Sequence, residues 1–525
     1  MTRRFLLVIL LSILVFFSNI GGFSIYILDE AKNSSCAFEM MHRDDPIVPT
    51  FNGILRTDKP PLHYYFMMGS YTIFGINAWG ARFFSAIMGI LAVVTVFSTV
   101  RNILNENVAF YCAIVMLSSL QFAIQFHLAV PDPYLITFMT ASILALYLGY
   151  HENPKWYRLG YFLMGLGFMS KGLIAIVFPG IIFFAYLLIQ ESFNWKTIRS
   201  LKVLQGILIF AVTALPWYIL VGLETNGAWL RGFFIEHNLD RYTSTMEGHR
   251  MFPLAPFVLI LAATLPFSVF IIQAGKLTWR TRSSEPFLIY CAISLLTILM
   301  FFSLSRTLLP GYVSPAIPFI AIILGYYLDF LERNIASITT STRWIISVIN
   351  VMIGVAICVL ITVALDKEKQ LISLKSIAWA FGILPLCMAV GGYFLLTSKP
   401  KLMAWSWATG WILTGLVFFY LAMPRLDHES PVQKSMTQLK SDFDKREIVA
   451  YKQFNPAFVF NLGKVIPVFD SIDALQEHIA GRKCLVITRS KYLSEIEGVK
   501  DLQIVFQGKD LFEKNETSIL IGGQD

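Results

Sequence analysis

Charge is scarce in this chain: Asp, Glu, Lys and Arg make up 14% of its 525 residues, against 56% hydrophobic residues. With a mean hydropathy of +0.63, so much apolar surface has no place in an ordinary soluble core, and lipid is the solvent that accommodates it. Cysteine is sparse too. Cys112, Cys291, Cys358 and Cys387 fall inside apolar runs, which leaves Cys36 and Cys484 as the one pair open to a disulfide in an oxidising compartment, a pairing the sequence does not favour. Internal repeats and low-complexity tracts are lacking, which weighs against transporters built on inverted repeats. No clear small-x-small cleavage site precedes Asp29, so the first apolar run reads as a retained anchor rather than a signal peptide.

What the chain does have is a succession of apolar runs, each near the roughly 20 residues a membrane helix needs. Runs bounded by charge, Pro or Gly fall at 5–27, 79–100, 108–126, 131–149, 157–170, 172–190, 203–221, 252–273, 286–304, 310–331, 344–364, 376–396 and 402–422, thirteen spans in all. Only Lys171 and Gly172 separate the fifth from the sixth. Basic residues collect in cytoplasmic loops, and with the amino terminus inside, Arg3, Arg4, Arg101, Lys155, Arg158, Lys196, Arg199, Lys276, Arg280, Arg333, Lys399 and Lys401 all fall on the inner side. An odd number of spans then puts the carboxyl terminus outside. The formal charge of +8 is in this view a topology signal, and no nucleic-acid surface is read into it.

The expected fold is an α-helical polytopic membrane domain, 1–424, followed by a small α/β domain, 425–525. A first outer loop, 29–78, contains short amphipathic stretches such as Leu62 to Phe74, and a second runs from Gly222 to Arg250. Beyond Pro424, runs at Ile448 to Tyr451, Val465 to Phe469, Cys484 to Thr488, Gln503 to Phe506 and Ile519 to Ile521 read as strands, and Ser471 to Ala480 and Lys491 to Val499 as helices.

Five clusters carry possible chemistry, all on the outer side. Asp29 and Glu30 emerge where the first run ends: either charge stopping a helix or an acidic site, with the macrodipole opposing negative charge at a helix carboxyl end. In Thr57-Asp58-Lys59-Pro60-Pro61, two prolines fix the chain behind a lysine, as a juxtamembrane turn or as a rigidly placed cation for a lipid phosphate. Asp132 stands between Pro131 and Pro133, as a helix N-cap or as a carboxylate near membrane depth, and both readings can hold. Glu236-His237-Asn238 with Arg241 sets His237 and Arg241 four residues apart on one helical face; His237 is a solvated loop residue or, with carboxylates, a metal ligand. Last, Arg306 and Tyr312 flank Leu309-Pro310-Gly311, as interfacial anchors or as part of a site.

Taken in order along the chain, Leu28-Asp29-Glu30-Ala31, Val48-Pro49-Thr50-Phe51-Asn52-Gly53, Lys59-Pro60-Pro61-Leu62, Pro131-Asp132, Gly167-Phe168-Met169-Ser170-Lys171-Gly172, Glu236-His237-Asn238 and Leu309-Pro310-Gly311-Tyr312 resemble the bacterial membrane glycosyltransferases related to the lipid A aminoarabinose transferase and, more distantly, to protein O-mannosyltransferases. The likeness covers about the first 330 residues. It implies the GT-C fold, a cavity open to lipid and periplasm, and inverting transfer of a sugar from undecaprenyl phosphate to a periplasmic lipid or glycan acceptor such as lipid A, in a bacterial inner membrane. It also implies roles: Asp29 as the main catalytic carboxylate with Glu30 and Asp132 beside it, and Lys59, Arg241, Tyr312 and Arg306 around the lipid phosphate. Asp58 stands where the family usually has glutamate, and Asp58 with His237 forms a candidate site for zinc, magnesium or manganese, although no cofactor is required. Lys32 replaces the arginine that often follows the Asp-Glu-Ala motif, giving a cation without bidentate geometry. The alternatives are a flippase for the same lipid, which should carry ionisable groups deep in several spans, an enzyme closer to the protein O-mannosyltransferases, and an assembly factor, which would leave these motifs without a common purpose.

Overall fold

The computed structural model describes residues 2–239, 252–305, 308–499, 502–511 and 515–522. Helix α1 (Arg3–Phe16) is shorter than the apolar run that contains it, because residues 17–27 leave the helix in turns and bends. A new helix, α2 (Leu28–His42), then begins. This corrects the expectation for the Asp29-Glu30 pair. The two carboxylates do not end the first span; they occupy the first turn of α2, where the macrodipole favours negative charge.

The chain continues through a two-residue hairpin of β1 (Thr50–Phe51) and β2 (Ile54–Leu55). Its turn takes φ of 52° at Asn52 and 77° at Gly53, the left-handed pair that tight hairpins require and that Asn-Gly supplies. Glu39 of α2 clamps it, accepting from Thr50 Oγ1 at 2.6 Å, from the Asn52 amide at 2.6 Å and from the Gly53 amide at 3.1 Å. Past the two prolines, the amphipathic stretch forms α3 (Leu62–Phe74).

The membrane domain follows with α4 (Ala78–Ile103), α5 (Glu106–Ser118), α6 (Leu120–Phe126), α7 (Asp132–His151), α8 (Lys155–Lys171) and α9 (Ile174–Ile189). Among the described residues, eight helices are long and apolar enough to cross a membrane, or ten if the bent pairs α5–α6 and Ala255–Ala263 with Phe267–Arg280 each make one span. All thirteen expected spans contain helix. However, α1, α8 and α9 have only 14, 17 and 16 residues, less than the roughly 20 that a perpendicular crossing needs. The break between α8 and α9 is Gly172 at φ 89°, a conformation that stops a helix.

Two spans form the centre of the bundle. Asp132–His151 and Pro310–Arg333 are each 89% buried, whereas Thr340–Lys367 is 17% buried and presents its apolar side chains to lipid. Asp132 and the Pro310–Ala316 turn bearing Tyr312 thus stand at the ends of the two innermost helices.

The carboxyl-terminal region builds a five-stranded sheet in the order β4-β3-β5-β7-β6, from β3 (Glu447–Tyr451), β4 (Val468–Phe469), β5 (Cys484–Arg489), β6 (Gln503–Lys509) and β7 (Glu516–Gly522). Strand β3 runs parallel to β4 and β5, and β7 is antiparallel to β5 and β6. The sheet region sits on the first outer loop. Asn52 exchanges two hydrogen bonds with the backbone of Ile466, at 2.8 and 2.7 Å, Asn461 donates to the Ile25 carbonyl at 2.9 Å, and the Leu511 amide donates to the Tyr26 hydroxyl at 3.0 Å. Cys36 and Cys484 are both free thiols, buried in separate apolar clusters.

Candidate active site

Asp29 and Glu30, adjacent in sequence, meet different surroundings. Asp29 is exposed at the start of α2. Glu30 is fully buried and held end-on by Arg82 of α4, with Nε 2.7 Å from Oε1 and Nη2 2.8 Å from Oε2. The Ala129 amide adds a third donor to Glu30 at 2.9 Å, and Arg82 uses its remaining N–H groups on the carbonyls of Ile20, Phe23 and Ser24. A carboxylate so enclosed has no access to substrate. Glu30 therefore departs from the catalytic role expected of it: it ties α2 to α4 and to the residues before α7.

The loop between β2 and α3 is organised by Arg56, a residue that no motif in the sequence singles out. Its guanidinium is 5% exposed. Nη2 donates to Asp58 Oδ2 at 2.8 Å and to Asn33 Oδ1 of α2 at 3.2 Å, and Nε lies 2.8 Å from Asp58 Oδ1. Burial acts to raise the Asp58 carboxyl, but Arg56, with Lys59 and His237 behind it, holds it down at about 2. Burial acts to lower Arg56, yet surrounding groups including Tyr64, Asp58 and Asp29 keep it protonated. Asp29, Asp58, Lys59 and His237 thus act within one electrostatic neighbourhood. Burial, reinforced by Arg56 and Lys59, pushes His63 well below the ordinary imidazole range, so its ring is neutral.

The expected metal site does not fit this arrangement. Asp58 already faces a guanidinium, a fixed cation that would repel a divalent ion from the same oxygens. Among the described residues, no group of three or more His, Cys, Asp or Glu side chains is arranged to hold a metal. His237 stands half-buried on the helical segment Gly232–Leu239, close enough to act on Asp58 as a charge.

Asp132 does not cap α7. It is the first residue of that helix, with Pro131 before it, and its Oδ1 accepts from Lys171 Nζ at the end of α8. The lysine ammonium also lies 5.2 Å from the centroid of the Tyr312 ring, within cation–π range. Lys171 is thus a second cation at the site, although in sequence it stands out only as a break between two spans and as part of a motif. Tyr312 packs its ring on Phe302 at 5.4 Å. Arg241 and Arg306 lie outside the described residues.

The Gly232–Leu239 segment joins the two clusters. A Cβ on Gly232 would come within 2.5 Å of Thr57 Oγ1, so the segment packs directly on the Asp58-Lys59 loop. Its Phe233 covers Gly172, next to Lys171. Trp229, fully buried, donates from Nε1 to the Arg56 carbonyl at 2.8 Å. The result is two neighbouring clusters, one with the exposed Asp29 carboxylate and the Arg56-Asp58-Lys59 loop, the other with Lys171, Asp132 and Tyr312.

Comparison with known proteins agrees with this architecture. The family model described as dolichyl-phosphate-mannose-protein mannosyltransferase matches residues 58–219, the stretch from Asp58 through α3, α7 and Lys171. A relative from Pseudomonas fluorescens, undecaprenyl phosphate-alpha-4-amino-4-deoxy-L-arabinose arabinosyl transferase 2, is 30% identical over 336 residues; the match spans 62% of this chain and 60% of the relative. The corresponding Yersinia pestis transferase is 25% identical over 454 residues, 83% of this chain and 80% of its own. In three dimensions the chain superposes on ArnT from Cupriavidus metallidurans, crystallised with undecaprenyl phosphate, with a TM-score of 0.81 over 99% of both chains at 19% identity. The chain thus has, from end to end, the fold of ArnT from Cupriavidus metallidurans, and its sequence is similar to the undecaprenyl phosphate-aminoarabinose arabinosyl transferases and, over residues 58–219, to the dolichyl-phosphate-mannose-protein mannosyltransferase family model.

Proposed function

We propose that the protein moves an aminoarabinose-type sugar from undecaprenyl phosphate to a lipid A-like acceptor on the outer face of a bacterial inner membrane, with the amino terminus in the cytoplasm and the carboxyl-terminal sheet in the periplasm. The observation that carries this reading is Asp29: an exposed carboxylate in the first turn of a helix, in the electrostatic neighbourhood of Arg56, while its neighbour Glu30 is consumed by Arg82. The relatives named for aminoarabinose transfer support the sugar class.

Transfer breaks the bond between the anomeric carbon and the carrier phosphate and forms a new one to the acceptor oxygen. Negative charge grows on the departing phosphate. Lys59, fixed by Pro60 and Pro61, offsets that charge, and Lys171 does so from the other side, aimed by Asp132 and the Tyr312 ring. Asp29 accepts the proton of a hydroxyl acceptor; for a phosphate acceptor, which arrives ionised, it orients the amine of the sugar instead.

The test is transfer of labelled 4-amino-4-deoxy-arabinose from undecaprenyl phosphate to purified lipid A by the detergent-solubilised protein. Asp29→Asn should reduce turnover at least ~1,000-fold, on the order of what loss of a catalytic group costs, with yield and unfolding temperature unchanged because the residue is exposed. Near-normal turnover in that variant would move the chemistry to another residue.

A further inference from the structure

The helix that carries Asp29 and the loop that carries Lys59 meet at one side chain. Asn33 is one helical turn after Asp29 on the same face of α2, and it is fully buried. Its Oδ1 accepts from three donors, Arg56 Nη2 at 3.2 Å, the Tyr64 hydroxyl at 3.2 Å and His63 Nε2 at 3.3 Å. Its own Nδ2 has no hydrogen-bond partner among the described residues. A buried amide with an overloaded oxygen and an orphaned nitrogen is poorly placed for stability alone. The three donors also belong to separate pieces of the site: Arg56 leads directly into Asp58-Lys59, and His63 and Tyr64 begin α3.

We propose that Asn33, working through Arg56, is a positioning residue that sets the distance between the Asp29 carboxylate and the Lys59 ammonium. The proposal rests on the catalytic and phosphate-binding roles assigned above to Asp29 and Lys59. Arg56 acts as a clip: its Nη2 is shared between Asn33 Oδ1 and Asp58 Oδ2, and its Nε lies beside the other Asp58 oxygen. Asp58 fixes the loop end with an ionised carboxylate, and Asn33 fixes the helix end with a neutral oxygen. The phosphate must be bound and the acceptor aligned at once, so a slip between α2 and the loop of even about 1 Å lowers turnover while leaving each half able to bind its own ligand.

The experiment compares Asn33→Leu, similar in volume but without an acceptor, with Asn33→Asp, which keeps the acceptor for all three donors and removes the orphaned nitrogen. Wild type, both variants, Arg56→Lys and Asp29→Asn are assayed for kcat, for KM of the labelled donor and for inhibition by undecaprenyl phosphate. The expected result for Asn33→Leu is a kcat lower by about 30-fold or more, with donor KM and undecaprenyl phosphate inhibition within about threefold of wild type. Asn33→Asp should recover kcat to within about threefold. Arg56→Lys, which keeps a charge beside Asp58 but lacks the planar fork that lets Nε face Asp58 while Nη2 is shared with Asn33, should repeat the Asn33→Leu pattern, and it carries the test if Asn33→Leu fails to fold.

A kcat within twofold of wild type in a folded Asn33→Leu or Arg56→Lys protein overturns the proposal. So does a parallel loss of lipid binding and turnover, or no recovery in Asn33→Asp, because each marks a structural role. Persistent transfer by Asp29→Asn would instead remove the catalytic assignment on which the proposal rests. An inactive Asp29→Asn beside a fully active Asn33→Leu would remove the positioning role alone.

Discussion

His63 takes no proton in the folded protein at the pH where an exposed imidazole would, because burial and the neighbouring cations Arg56 and Lys59 oppose its charged form. An unfolded chain has no such obstacle and protonates near pH ~6.5. Stability from this residue is therefore complete above about pH 6.5 and falls as pH drops, because the unfolded state then binds the extra proton. The loss is expected to set in as pH falls through about 6.5. Replacing His63 by Gln, which keeps a donor for Asn33 but does not titrate, should flatten that slope in thermal unfolding of the detergent-solubilised protein. An equal slope in both proteins would show that His63 takes up its proton in the fold at the same pH as in the unfolded chain. The same pocket marks where sequence was legible at residue level and where it was not. The carboxylate at Asp29 and the Lys59-Pro60-Pro61 cation stand out by residue type next to apolar runs. Arg82 lies 52 positions from Glu30, so nothing local distinguishes the buried acid from the exposed one beside it. Arg56, Asn33 and Lys171 matter through partners that only the folded chain assembles.

At the level of elements, helix ends are what position the chemistry. Lys171 is the last residue of α8 because Gly172 follows at φ 89°, and a Cβ on Gly172 would stand 2.6 Å from Phe233 Cζ. Gly172→Ala brings both backbone strain and a clash, and it should cost about 1–3 kcal/mol in stability from the backbone alone. It also pushes the Gly232–Leu239 segment off the Lys171 corner, so transfer should fall together with the unfolding temperature. Gly180 lies inside α9, where an added Cβ would meet no atom within 4 Å, and it provides the control: Gly180→Ala should be neutral or stabilising. A Gly172→Ala protein as stable and active as wild type would separate this corner from the site. Each membrane helix is legible in sequence as a charge-bounded apolar run, since lipid demands such runs wherever the chain crosses. That α1 stops at Phe16, or that the residues after Trp229 wind into a π-helix, is not legible there, because those features depend on hydrogen-bond geometry within segments of similar composition.

For the whole molecule, sidedness is the property that ties these parts together. The carboxyl-terminal sheet region bonds to the first outer loop through Asn52 and Ile466, and to the chain just before Asp29 through Asn461 and Ile25, Leu511 and Tyr26, and Asp427 and Ser24. A shared apolar cluster joins Met40, Met67 and Tyr71 to Val432, Ile448 and Phe458. These contacts put the loop that bears Asp58 and Lys59 on the same side of the bundle as the sheet, so the orientation of one end determines the side on which chemistry occurs. The proposed function needs that side to be the periplasm, the side the distribution of basic residues between loops predicts. A carboxyl-terminal alkaline phosphatase fusion should therefore be active, and a green fluorescent protein fusion at the same point dark. An Ile54→Cys protein, changed at a position 69% exposed at the start of β2, should react with a membrane-impermeant maleimide added to intact spheroplasts. Reaction only after lysis, with a bright fluorescent fusion, would invert the molecule and put Asp29 on the cytoplasmic face, where this donor is not presented. A split result, with the two probes on opposite sides, would contradict the docking of the sheet on the loop.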